Sequence, residues 1–249
     1  MVARVPLIRP AGRALRRAAA PLPWRVRFWD GVARPSSGGV AGLFRLWRRG
    51  ASMRAESEAA WAAYDGGDVV DVGAFHGWYA ALLAPRARPG ATFVLVEPDP
   101  SAVPTLMRTA GSLAETFPAL RFCVVPRAAG DGSCVRPVYP YGPEGHPRFE
   151  SADDPGAERS LSVDGLAAGL GVRPSLVKVD VEGAEVFVVR GAAGTLESAR
   201  PTVMLETHPL WQPTGVEASD VTAPLRAAGY AAADLDVSVE VVRQLWRPS

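Results

Sequence analysis

From Asp68 onward, short β-branched runs alternate with segments of helix length, and most runs end at a glycine or an acid. Val69-Val70-Asp71-Val72, Thr92 to Glu97, Leu120 to Val125, Leu176 to Asp180 and Thr202 to Glu206 have the length and composition of strands. Residues 78–84, 100–113, 162–170, 184–194 and 221–229 between and after them predict helices. Pro85 stops the first of these, Pro104 is tolerated only in the first turn of the second, Ser162 offers an N-cap to the third, and Gly229 ends the last. The tail to Trp246 predicts one or two further strands, and residues 130–160 read as a loop rich in glycine, proline and acids. Alternation at this spacing predicts an α/β fold, a doubly wound, mostly parallel sheet with helices on both faces. Ligands in such sheets lie beyond the carboxyl ends of the strands, where strand order reverses. Residues at those ends are therefore the ones to weigh.

The chain divides at about residue 65. Residues 1–65 predict an Arg-rich, partly helical N-terminal extension, and residues 66–249 the ligand-binding domain. Residues 1–54 carry a net charge of +11 and the remainder −10, within a total of +1. A basic tail of this kind can meet nucleic acid or anionic lipid. No aromatic platform alternates with these arginines, so a solvated extension is preferred and a nucleic-acid partner disfavoured. Residues 24–50 predict two short amphipathic helices, and Trp24, Trp29 and Trp47 need apolar cover, which suggests a lid over the cleft. Ala51 to Tyr64 predicts a helix with Trp61 facing inward. Cys123 and Cys134 form no C-x-x-C pair and read as reduced thiols of a cytoplasmic protein, Cys123 in a strand of the core. No run approaches the 18 apolar residues or so of a membrane span, and the basic N-terminus lacks the apolar stretch of a secretory signal. Homo-oligomerisation is left open.

Of the 27 basic residues one is a lysine, Lys178, in Leu176-Val177-Lys178-Val179-Asp180-Val181-Glu182-Gly183-Ala184-Glu185. The run reads as a buried strand delivering charge to a cleft. Lys178 and Asp180 share one face of it, as Glu206 and His208 share one face of the next. If the two strands are neighbours, Lys178 is expected to pair with Glu206 at depth, with Asp180 and His208 nearer the tips. Glu185 has a sufficient role in the first turn of a helix, where an acid favours the dipole; Glu182 has no settled role. Upstream, Asp71-Val72-Gly73-Ala74-Phe75-His76-Gly77 turns from strand to helix. Its glycines let backbone approach a ligand, and the helix N-terminus suits an anionic group, whether a pyrophosphate or a methionine carboxylate. The spacing G-x-x-x-G misses the dinucleotide fingerprint G-x-G-x-x-G, and an acid two residues before the first glycine suits a ligand ammonium. Glu97, about 20 residues on, is placed for both hydroxyls of a ribose. Ala129, in Ala128-Ala129-Gly130-Asp131, is placed to line an adenine pocket.

With these residues in place, residues of about 66–210 resemble the FkbM family of S-adenosylmethionine-dependent methyltransferases. The likeness runs through Asp71-Val72-Gly73-Ala74, Gly77-Trp78-Tyr79, Glu97-Pro98-Asp99-Pro100, Val163-Asp164-Gly165-Leu166, Val177 to Glu185, Arg190-Gly191-Ala192 and Glu206-Thr207-His208. It departs at Phe75 and Thr109, where many relatives have asparagine. The resemblance implies a class I (Rossmann-like) methyltransferase fold and transfer to a hydroxyl of a small molecule such as a sugar or polyketide. On this reading Asp71, Gly73, Ala74, Gly77, Glu97, Ala129 and Asp180 hold S-adenosylmethionine. Lys178, Asp180, Glu206 and His208 form the catalytic group, with His208 or Asp180 as general base. A divalent ion on Asp180 and His208 is the less favoured way of activating the hydroxyl, because the sequence shows no dense ligand cluster. His76 is a further candidate for the acceptor pocket. The alternatives are methylation of nitrogen, carbon or nucleic acid, and a protein that binds the methyl donor without catalysis.

Overall fold

The computed structural model describes residues 51–138, 148–151, 157–213 and 215–249. The helices and lid expected within residues 1–50 lie outside them. The main sheet has seven strands in the order β3-β2-β1-β7-β8-β10-β9. These are β1 (Asp68–Val72), β2 (Thr92–Val96), β3 (Arg121–Val125), β7 (Pro174–Val179), β8 (Thr202–Thr207), β9 (Tyr230–Val237) and β10 (Val242–Pro248). The first five are parallel, and β10 runs antiparallel to both β8 and β9. The chain starts in the middle at β1, winds outward to β3, then returns to the other side of β1 with β7. The reversal of strand order therefore falls between β1 and β7.

Alternation along each strand sorts side chains to two faces. Val69, Phe93, Leu95, Leu176, Met204 and Leu245 pack beneath helices α1 (Ala51–Ala63), α2 (Trp78–Leu83) and α3 (Val103–Thr116). Val70, Val72, Val94, Val96, Val177, Val179, Val203 and Leu205 pack beneath α4 (Val163–Leu170), α5 (Glu185–Arg190), α6 (Ala193–Ser198) and α7 (Ala218–Ala227). All five residues of β2 are buried, as a strand covered on both sides requires. Asp71, Lys178, Glu206 and Arg243 fall in step with the first set. A row of charge therefore crosses the α1–α2–α3 face at the carboxyl ends of the parallel strands. The helix α1 is seated firmly there: Ser57 and Ala60 are fully buried, and Ser57 accepts a hydrogen bond of 3.0 Å from the Trp78 indole. Trp61 is half-buried against the same core.

Three expectations are corrected. Residues 130–160 are not all loop: β4 (Cys134–Val138), β5 (Arg148–Ser151) and β6 (Glu158–Arg159) form a small antiparallel sheet in the order β5-β4-β6. The single helix expected over 184–194 is two short helices, α5 and α6. The break falls at Gly191, where the Gly130 carbonyl comes so close that a Cβ would lie 1.9 Å from its oxygen. Cys123 is half-exposed rather than in the core, because β3 is the edge strand. The Cys134 side chain lies outside the described part. The Ser162 cap is as expected, its hydroxyl accepting from the Gly165 N–H at 3.0 Å.

Candidate active site

The tips of β2, β1 and β7 stand side by side and carry Glu97, the Asp71–Gly77 corner and Asp180. Hydrogen bonds tie them together. Glu97 Oε2 accepts from the Phe75 N–H at 2.8 Å, and its Oε1 from the Asp99 N–H at 2.9 Å. The Asp180 N–H donates to the Val72 carbonyl at 3.0 Å. Gly73 has φ 80°, and a Cβ there would lie 1.7 Å from the Asp180 carbonyl oxygen. Only glycine fits where the corner of β1 meets the end of β7. Gly77 begins α2 with φ 86°, and a Cβ there would meet the Thr109 methyl at 2.8 Å. This glycine thus serves the packing of α2 on α3. Ala74 is buried in the corner, and Ala129 forms a bridge to Leu161 beyond the end of β3. Phe75 holds its N–H toward Glu97 from a left-handed backbone, φ 47°, which is costly for a residue with a Cβ.

The electrostatics of the corner are unusual. Asp71 is 1% exposed, and both its carboxylate oxygens are buried without a hydrogen-bond partner. Burial pushes its pKa up to about 6; Lys178 opposes this, while Asp180 and Glu56 add to it. Glu97 is pushed up to about 7 by burial, against the two backbone N–H groups it accepts. Buried carboxyl groups are normally paired, and those with raised pKa cluster at functional sites.

Around the β7 and β8 tips the charges interlock. Lys178 Nζ donates to Asp180 Oδ2 at 2.9 Å and sits 5.0 Å over the Tyr79 ring. Burial works against the ammonium, yet Asp180, Glu56, Asp71 and Glu206 outweigh it and hold the lysine charged. Burial also works to raise Asp180, but the Lys178 ammonium, helped by His208 and Arg243, holds its carboxyl below the usual range. Glu206 is gripped by Arg243 from the antiparallel strand β10, with Nη2 to Oε1 at 2.6 Å and Nε to Oε2 at 2.9 Å. Burial pushes Glu206 up to about 8. Glu56, 6% exposed, reaches in from α1 to within 3.7 Å of Arg243 Nε.

His208 completes the cluster. Its ring is 2% exposed, stacks on Trp211 at 4.9 Å, and places Nδ1 2.9 Å from Glu185 Oε1. Nε2 lies 3.4 Å from Glu182 Oε2 and 3.6 Å from Glu206 Oε1. Burial opposes the imidazolium, but Glu185, with Asp180 and Glu182, outweighs it and pushes the ring up to about 9. Six carboxyl groups (Glu56, Asp71, Asp180, Glu182, Glu185, Glu206) thus gather around two fixed cations and one histidine. Such a site favours cationic ligands.

The family model described as "Methyltransferase FkbM domain" matches residues 71–232, most of the chain. The chain belongs to the FkbM methyltransferase family. The sheet order and the helices on both faces are its class I, Rossmann-like fold. Among solved structures, the FkbM methyltransferase of Methylobacillus flagellatus KT is 17% identical at a TM-score of 0.49, over 73% of this chain and 44% of that one. This chain therefore spans under half the length of that relative. The magnesium protoporphyrin IX methyltransferase of Synechocystis PCC 6803, solved with bound S-adenosylmethionine, is 16% identical at a TM-score of 0.46, over 99% of this chain and 100% of that one. The precorrin-6y C5,15-methyltransferase of Geobacter metallireducens GS-15 is 12% identical at a TM-score of 0.46, over 79% and 87%. No curated protein matches the sequence. Among the described residues no helix is long and apolar enough to cross a membrane.

In this member of the FkbM family the structure brings Asp71, Gly73, Ala74, Glu97 and Asp180 together as the sequence suggested. It corrects the pairing of Lys178 with Glu206. In the β7–β8 register Lys178 lies opposite Met204, and the lysine turns along its own strand to Asp180. Glu206 lies opposite Arg243, which takes both its oxygens. His76 is buried against Phe75, ring centroids 3.7 Å apart. Sequence reading missed Glu56, Arg243 and the roles of Glu182 and Glu185. Arg243 gave no signal, being one of two arginines in β10 of an arginine-rich chain; Glu56 gave none either, sitting in a helix assigned to the extension.

Proposed function

We propose that this protein transfers the methyl group of S-adenosylmethionine to a hydroxyl of a small molecule, of the sugar or polyketide type. The observation that carries the reading is the junction of Glu97, the Asp71–Gly77 corner and Asp180 at three adjacent strand tips. The residues fit the methyl donor. Asp71 offers two buried oxygens without partners to an ammonium. Each Glu97 oxygen accepts one backbone N–H and keeps lone-pair capacity for the ribose hydroxyls. Ala129 supports an adenine. The surplus of carboxyl groups suits a ligand carrying both an ammonium and a sulfonium.

When bound, S-adenosylmethionine supplies a methyl group that is already electrophilic. The protein's task is then to hold the acceptor, exclude water and manage one proton. Holding an oxygen in line at about 3 Å is the larger part of such a rate gain. Asp180, kept ionised by Lys178, is the group able to accept the hydroxyl proton. His208, raised to about 9, carries a proton at neutral pH, held between Glu185 at Nδ1 and Glu182 at Nε2 beside Asp180. Arg243 and Glu56 fix Glu206 on the far side.

Calorimetry with S-adenosylmethionine and NAD, followed by assay of S-adenosylhomocysteine release over a panel of sugars and polyketides, tests the reading. Binding of the methyl donor at one site per chain and turnover with a hydroxyl acceptor are expected. Binding of NAD alone, or turnover confined to nitrogen or carbon acceptors, overturns it.

A further inference from the structure

We infer that Asp180, Glu182 and His208 form a binding site for one divalent cation beside the acceptor position. The inference rests on the methyltransferase reading for its purpose and on geometry for its existence. One ligand atom from each of the three residues lies within 4.8 Å of the others. Two ligands on one ion, each about 2.1 Å from it, stand about 3.0 Å apart when adjacent and about 4.2 Å when opposite. The 3.4 Å between His208 Nε2 and Glu182 Oε2 falls inside that span, yet is long for a charge-assisted hydrogen bond, about 2.7–2.9 Å.

The second observation lies behind the ligands. Nδ1 of His208 is committed to Glu185, which is fully buried. Glu185 is itself fixed, Oε1 accepting from the Gly183 N–H at 2.9 Å and Oε2 from the Gln212 amide. With Nδ1–H given to that carboxyl group, a cation that displaces the Nε2 proton would find the ring's lone pair on the side facing Glu182. A carboxyl group behind a ligating imidazole is the usual device for setting its tautomer and orientation. The two loops that bring the ligands together are locked: a Cβ on Gly183 would lie 2.2 Å from the Trp211 carbonyl oxygen. Glu182 lies between β7 and α5 with φ 55°, and its Oε2 faces His208 Nε2.

One imidazole and two carboxylates suit a first-row ion such as manganese, iron or zinc, and three protein ligands leave positions for an acceptor. An ion there would bind the acceptor hydroxyl and make it more acidic. This gives Glu182 a function and places Glu185 as a positioning residue rather than a helix-dipole acid only.

The test is titration of Mn2+ into the full chain after chelator treatment and dialysis, by calorimetry and by the Mn2+ spin-resonance signal, with S-adenosylmethionine binding measured on the same samples. One Mn2+ per chain is expected, with affinity lowered at least tenfold in Glu182→Gln and 10–100-fold in Glu185→Gln. Glu182 is 31% exposed in its side chain, so its substitution spares the fold. The two failures separate cleanly. Absence of Mn2+ binding in protein that binds S-adenosylmethionine, or binding that Glu182→Gln leaves unchanged, overturns the metal site alone. Binding of Mn2+ without binding of the methyl donor would leave the cation site standing and sink the methyltransferase site.

Discussion

The strand β1 carries an aspartate near each end, and the two could hardly be treated more differently. Asp68, at the start, accepts the Thr92 N–H at 2.8 Å and the Arg173 N–H at 2.9 Å, knitting β1 to its neighbours. Asp71, near the end, is buried with both oxygens unbonded. The contrast extends across the sheet. A cavity of about 590 Å3 opens at the amino ends of the strands, lined by Asp65, Asp68, Arg88, Arg173, Arg200 and Thr202 among others. There the charges are closed on one another or on backbone: Arg88 on Asp65 at 3.5 Å, Arg173 on the Ser198 carbonyl at 2.9 Å, Arg200 on the Ala228 carbonyl at 3.1 Å. At the carboxyl ends, carboxyl groups outnumber cations and several are pushed up in pKa by burial. A hollow whose polar groups are satisfied is a feature of shape. Buried groups held away from their solution behaviour are what a ligand must complete.

The largest difference between the two ends should appear on substitution at the upper one. Asp180→Asn is expected to slow methyl transfer by about 10²–10⁴-fold, the range for loss of a proton acceptor, with no comparable effect from Asp65→Asn. Transfer kinetics at saturating cofactor decide it; near-normal turnover would remove Asp180 from the chemistry. At the lower end Asp68→Ala should cost about 2–3 kcal/mol of stability through two orphaned backbone donors, with cofactor affinity unchanged, as read by denaturant unfolding and calorimetry. A loss of affinity there would erase the distinction between the ends.

Acidity sharpens the comparison further. Glu97 titrates at about 7 in the free protein and must be ionised to accept the ribose hydroxyls. Affinity for S-adenosylmethionine should level off above about pH 8, be halved near pH 7 and fall toward tenfold per unit below about pH 6; a flat profile from pH 5.5 to 8 would contradict the ribose role. For folding the sign is opposite. A pKa raised above the unfolded value of 4.5 favours the fold below pH 4.5, and that favour is lost as pH rises through about 7. Relative to the wild type, Glu97→Gln should therefore gain up to about 3 kcal/mol of stability between pH 4.5 and 8 while weakening cofactor binding. The smallest effect is local. Phe75→Asn, which relieves a left-handed backbone, should stabilise by about 1 kcal/mol in thermal unfolding and leave Glu97 able to bind.

Much of the upper end was legible because its residues sit at the ends of strands that announce themselves. The runs Val69–Val72, Thr92–Val96 and Leu176–Val179 gave the parallel sheet, and the residues just past them, Glu97 and Asp180, followed from the rule for ligand position. What was not legible depended on register and distant elements. The partner of Glu206 is an arginine 37 residues on, presented by an antiparallel strand whose pairing the sequence does not declare. Glu56 arrives on α1 from before the glycine corner, in a segment read as extension. The antiparallel β4–β5–β6 sheet was hidden because β4 carries a proline and β5 and β6 are short and polar, and the break at Gly191 because its cause is a contact with Gly130.

A crystal structure with S-adenosylhomocysteine tests the central claim most directly. The ribose hydroxyls should lie within hydrogen-bond distance of Glu97 and the amino group should meet Asp71, at the carboxyl ends of β2 and β1. A nucleoside seated instead in the hollow at the amino ends, or bound with Glu97 and Asp71 untouched, would contradict it.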